Sequence, residues 1–115
     1  MLKQFVYQTL NADEIVAIVG NRVFSKKLED NSIFPAITYQ RIIDNTEQHL
    51  KGMDKEKGIF QISIYSKDEL ELENLFLVLK ESLKDKAIYK NAVDFYEVDT
   101  ELHSIKVDYQ FYKKD

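Results

Sequence analysis

The chain has 115 residues, 44% of them hydrophobic, which suits one core in a single domain spanning 1–115 and argues against disorder. Its 16 basic and 20 acidic side chains leave a net charge of −4, which argues against tight nucleic-acid binding through phosphate neutralisation. The absence of cysteine excludes disulfides, thiolate nucleophiles and thiolate metal sites, and no apolar run approaches the roughly 20 residues of a membrane span.

Leu2, Phe5, Val6 and Leu10 recur at helical spacing, and Asn11 ends the pattern. Asn11 is then the expected N-cap of a second short helix, with Glu14 three residues on to close a capping box. Ile15, Ile18 and Val19 supply its apolar side, and Gly20 suits the left-handed residue that follows a helix. The first twenty residues therefore predict a broken helix or helix pair, without the basic-then-apolar layout of a signal peptide.

Ser25 to Ser32 is polar and irregular, after which Phe34-Pro35 turns the chain into extended backbone. Ala36 to Ile43 predicts a strand with Ile37, Tyr39 and Ile43 on one face. Ile59 to Tyr65 predicts another, with Phe60, Ile62 and Ile64 opposite Gln61, Ser63 and Tyr65. The polar segment between them, Asn45 to Gly58, reads as a long hairpin.

The clearest element follows. Ser66 and Glu69 predict a capping box, and Leu72, Leu75, Phe76, Leu79 and Leu83 form one apolar stripe. Asp68, Glu69, Glu71 and Glu73 crowd its start while Lys80, Lys84 and Lys86 sit toward its end, complementing the helix dipole. Two strands complete the chain: Val93, Phe95 and Glu97 alternate with Asp94, Tyr96 and Val98, and Ile105, Val107, Tyr109 and Phe111 alternate with Lys106, Asp108, Gln110 and Tyr112. Thr100 to Ser104 is polar enough for the turn between them. The expected fold class is α+β: a single antiparallel β-sheet of about four to five strands, with an N-terminal helical segment and one long amphipathic helix packed on one face.

Three stretches carry a resemblance. Val19-Gly20-Asn21-Arg22-Val23-Phe24, Phe34-Pro35-Ala36-Ile37-Thr38-Tyr39-Gln40 and Phe60-Gln61-Ile62-Ser63-Ile64-Tyr65-Ser66 resemble, in order and spacing, segments of the tail-completion or tail-terminator proteins of long-tailed bacteriophages. The likeness covers about residues 1–85; the C-terminal hairpin agrees only in being β-rich. Ser25 and Ala36 depart from the pattern, which often has a proline and an aromatic at those places. What the resemblance implies is a structural protein, not an enzyme, that forms a hexameric ring, caps the tail tube and joins it to the head connector. Its expected partners are further copies of itself, the tail tube protein and head connector proteins, with DNA passing through the channel unbound and no membrane contact. Its place would be the tail or neck of a virion, phage or prophage in origin, and the host cytoplasm during assembly. The alternatives are another neck or connector component and a small-molecule-binding regulatory domain.

The residues themselves hold no catalytic, cofactor or metal motif. His49 and His103 are expected in loops or turns, and Glu47, His49 and Asp54 read as a solvated loop rather than a ligand set. No nucleophile elbow or phosphate-binding glycine loop occurs. The candidate residues are instead interfacial. Lys51, Lys55 and Lys57 form a basic cluster that either touches DNA or an acidic neighbour or is a charged tip balanced by Glu47, Asp54 and Glu56. Arg22, just past a helix end, either caps that helix or serves an interface. Tyr65, Tyr96 and Tyr112 fall opposite the main apolar stripes, where tyrosine's apolar ring and polar tip suit a partner.

Overall fold

A computed structural model describes residues 1–29, 31–48 and 55–114. The order is α1 (Leu2–Leu10), α2 (Asp13–Val19), β1 (Val23–Ser25), β2 (Ala36–Asp44), β3 (Lys55–Ser66), α3 (Glu69–Leu83), β4 (Ala87–Glu97) and β5 (Leu102–Lys114). The strands form one five-stranded sheet in the order β1-β2-β3-β5-β4. All pairings are antiparallel except β1 with β2, which is parallel. The expected α+β architecture is present, with a mixed sheet in place of a purely antiparallel one.

The core follows from the alternation in β3 and β5. Phe60, Ile62 and Ile64 pair with Tyr109, Val107 and Ile105, so one face of the two central strands is apolar throughout. Leu72, Leu75, Leu79 and Leu83 of α3 and Leu2, Val6 and Leu10 of α1 are buried over that face in one cluster. Among the described residues no helix covers the opposite face. Its central residues are Gln61, Ser63, Lys106, Asp108 and Gln110. That division is why β3 and β5 read cleanly from sequence.

The helix ends differ from expectation. Asn11 is the C-cap of α1, its side-chain amide donating to the Tyr7 carbonyl at 2.7 Å, and Ala12 takes the N-cap position of α2. Glu14 closes no capping box; it accepts a hydrogen bond from Ser82 at 2.8 Å, joining α2 to α3. Gly20 does follow α2 with a positive φ of 60°. At α3 the cap is Asp68, whose carboxylate accepts from the amides of Leu70 and Glu71. Ser66 instead accepts from the Asp68 amide at 3.0 Å and donates to Glu71 at 2.7 Å. Both Ser66 and Asp68 are cap-forming types, and the position where the chain leaves β3 decides between them.

Three strand expectations also change. The start of the stretch expected to be irregular belongs to β1, a strand too short to show a period. In β2 a bulge between Arg41 and Ile43 shifts the register, so Ile43 pairs with Ile59 on the uncovered face and is half exposed. In β4 a bulge between Tyr89 and Asn91 does the same. Val93 and Phe95 therefore pair with Lys106 and Ser104 on the uncovered face, whereas Tyr96 pairs with His103 on the helix side. The β4–β5 turn occupies residues 98–101, with Glu101 at a φ of 53°, so Ser104 lies within β5. The tip of the expected 45–58 hairpin, including His49, Lys51 and Asp54, lies outside the described residues; its flanks pair through Asp44 with Gly58 and Glu47 with Lys55.

Candidate functional site

The edge strand β4 exposes five large hydrophobic side chains, Ile88, Tyr89, Val93, Phe95 and Tyr96. From Ile88 to Glu97 every residue except Ala92 is exposed. Ile88, Val93 and Phe95 are 48%, 51% and 49% exposed, and Tyr89 and Tyr96 are similar on the helix side. The local cause is geometric. α3 lies over β3 and β5, where its leucine stripe is buried, and Lys80 reaches from it to Tyr89 of β4. Lys80 sits over the rings of Phe76 and Tyr89, 4.4 and 5.9 Å from their centroids. Strand β4 thus offers a free hydrogen-bonding edge and apolar side chains on both faces, a combination that favours pairing with another chain.

The predicted interface residues divide into three places. Lys55, Lys57 and Tyr112 meet at one end of the uncovered face: Lys57 pairs with Tyr112, and the Lys55 ammonium lies 5.4 Å from the Tyr112 ring centroid. Tyr65 lies at the other end of that face, its hydroxyl 3.2 Å from the Thr38 hydroxyl. Tyr96 is not opposite the core as expected; it stacks on His103 at 4.6 Å between ring centroids. His103 correspondingly sits in β5 rather than in a turn.

Arg22 stands apart from these. Its Nε donates to the Pro35 carbonyl at 2.8 Å and its guanidinium reaches the Ile18 carbonyl at 3.5 Å. Those bonds fasten the end of α2 to the start of β2, which is the capping role. Ile88, Val93 and Phe95 were missed as surface residues because apolar alternation reads as core. The signal available in sequence was small side chains at Ala87 and Ala92, one step out of phase with the two-residue period.

No constellation for catalysis accompanies this surface. A cleft of about 430 Å³ between the start of α3 and the β4–β5 hairpin is rimmed by Glu69, Glu73, Asp94, Tyr96, His103 and Ser104. Among the described residues no group of His, Asp or Glu is arranged to hold a metal ion. The titration shifts are scattered and local. Glu14 is held below the usual carboxylate range by its backbone hydrogen bond and by Ser82, and Asp44 by Thr46. Lys84 is raised by Glu81, Tyr39 by burial, and burial pushes Tyr109 up to about 12. None of these groups converges on another in a way that supports acid–base work.

The model of one family, tail completion protein gp17, matches residues 4–113. The chain belongs to the tail completion protein gp17 family. It is therefore a structural, non-enzymatic tail completion protein of a phage-like virion. The tail completion fold also recurs in a chain of the virion of the native gene transfer agent particle. That chain is 14% identical with a TM-score of 0.65, and the match covers 96% of this protein and 92% of that chain. No curated protein sequence matches. No helix among the described residues is long and apolar enough to cross a membrane.

Proposed function

We propose that the protein, acting as one domain over residues 1–115, closes into a hexameric ring that caps the tail tube and joins it to the head connector. The observation that carries this reading is the uncovered β4 edge with Ile88, Val93 and Phe95 beside it. A ring needs a heterologous contact, in which one surface meets a different surface on the next copy. The β4 edge supplies one such surface and the polar sheet face, with Tyr65 and Tyr112, the other. Lys55 and Lys57 at the end of that face then meet a neighbouring subunit or the tube, and Lys51 belongs to the same basic segment of sequence. The net charge of −4 suits a channel through which DNA passes without specific binding. The shared fold with a chain of a gene transfer agent virion supports a place in the neck or tail of such a particle, reached after assembly in the host cytoplasm.

Co-sedimentation with tail tubes tests the reading. Wild-type protein pellets with the tubes, whereas a Val93→Glu/Phe95→Glu variant with unchanged circular dichroism remains in the supernatant. Equal pelleting of both would remove β4 from the mechanism.

A further inference from the structure

We propose that, away from its partners, the protein rests as a two-fold dimer in which β4 pairs antiparallel with β4 of a second copy. The strand is complementary to itself in that sense only. With Ala92 on the two-fold axis, Val93 faces Asn91 of the second copy. The extra residue of the bulge is absorbed at the next step, which places Asp94 opposite Tyr89 and Lys90. Beyond it Phe95 faces Ile88, Tyr96 faces Ala87 and Glu97 faces Lys86.

Register with β5 fixes the side on which each of these residues lies. Val93, Phe95, Asn91 and Ile88 share the uncovered face, and Tyr96, Asp94, Tyr89 and Ala87 share the helix side. Every facing pair is therefore on one side of the extended sheet, as cross-strand pairing requires. If the extra residue were not absorbed, the phase shift at Lys90 would set Phe95 against Tyr89 on opposite faces.

Charge selects the same arrangement. Lys86 immediately precedes β4 and Lys90 lies in its first half, with Asp94 and Glu97 toward its end, all four exposed. Among the described residues the ion pairs within 4.0 Å are Met1 with Glu56 and Lys84 with Glu81, so these four make none. Antiparallel pairing sets lysine against carboxylate at both ends of the contact; parallel pairing would set like charges side by side. The other edge of the sheet, β1, has 3 residues and cannot complement an 11-residue strand. The second copy is thus the occupant that fits the edge in length, side and charge.

The dimer covers the edge assigned above to the ring, so docking on the tail exchanges a contact between like surfaces for one between unlike surfaces. It also hides a long apolar edge from uncontrolled strand addition before assembly. The dimer stands on β4 alone and does not require the ring.

The chain has no cysteine, so an Ala92→Cys variant carries one thiol that can bond only to its counterpart in another copy. Directly opposed strand residues place their Cα atoms about 4.5–5.5 Å apart, within disulfide range. Mild oxidation of the isolated variant is expected to give a two-chain band on a non-reducing gel, and a Ser25→Cys variant on the β1 edge none. Light scattering of the wild type is expected to give the mass of two chains. Asp94→Lys should lower that mass to one chain, and Lys90→Glu/Asp94→Lys should restore two. A wild-type mass of one chain or of a ring across the concentration range would overturn the proposal, as would Asp94→Lys leaving the dimer intact. These outcomes concern the free protein, and failure of the ring on tail tubes is read separately.

Discussion

The Arg22 guanidinium donates to the Pro35 carbonyl at 2.8 Å, so one side chain ties the last turn of α2 to Pro35, 13 residues on from Arg22, where β2 begins. A charge-assisted bond of this kind contributes about 1.5–3 kcal/mol. Arg22→Ala is expected to lower the urea midpoint accordingly with an unchanged m-value. Arg22→Lys should recover only part of the loss, because an ammonium lacks the planar fork that reaches both Pro35 and Ile18. An unaltered midpoint in Arg22→Ala would show that the fastening is dispensable.

Gly58 lies where β3 passes beneath α1. A methyl group there would come within 2.8 Å of the Ile43 carbonyl oxygen, a backbone atom that cannot swing aside. Gly58→Ala should therefore destabilise by about 1–3 kcal/mol through overpacking. Thermal unfolding checks this, with native-like circular dichroism at low temperature expected and an unchanged melting temperature arguing against the close approach.

The start of α3 separates two caps that sequence alone leaves equivalent. Removing the Asp68 carboxylate strands the amides of Leu70 and Glu71, so Asp68→Ala should cost about 1 kcal/mol. Glu69→Ala, at an exposed position without a capping bond, should change stability by only a few tenths of a kcal/mol. The reverse order in chemical denaturation would restore the capping box at Ser66 and Glu69.

Tyr109 makes stability depend on alkaline pH. Burial, with a smaller contribution from Tyr89, pushes its hydroxyl up to about 12, above the ordinary value of about 10. The folded state holds this proton more tightly than the unfolded chain does. The associated stability is fully present below about pH 10 and is lost as pH rises toward about 12. The melting temperature should fall over that window, and less steeply in Tyr109→Phe. Identical alkaline slopes in the two proteins would assign the loss to other groups.

Much of this fold is legible in the residues, for identifiable reasons. Burial on one side only imposes a strict period on β3, β5 and α3, and Phe60, Ile62, Leu75 and Val107 declare their faces without help. β1 is hidden because 3 residues carry no period and because its partner is remote in sequence. β4 misleads because apolar side chains at Val93 and Phe95 imitate a core strand while the bulge at Lys90 inverts its phase. Tyr65 and Tyr112 fall on the uncovered face as their alternation predicts, but Tyr96 inherits the inverted phase and does not. The surface therefore became visible only once the position of α3 showed which strand it leaves bare.

The ring is tested most directly by electron microscopy of tail tubes incubated with the protein and viewed both side-on and end-on. One six-fold ring at a single end of each tube, with tubes of arrested length, is the predicted result. Bare tube ends, or protein bound along the tube wall, would contradict the capping role.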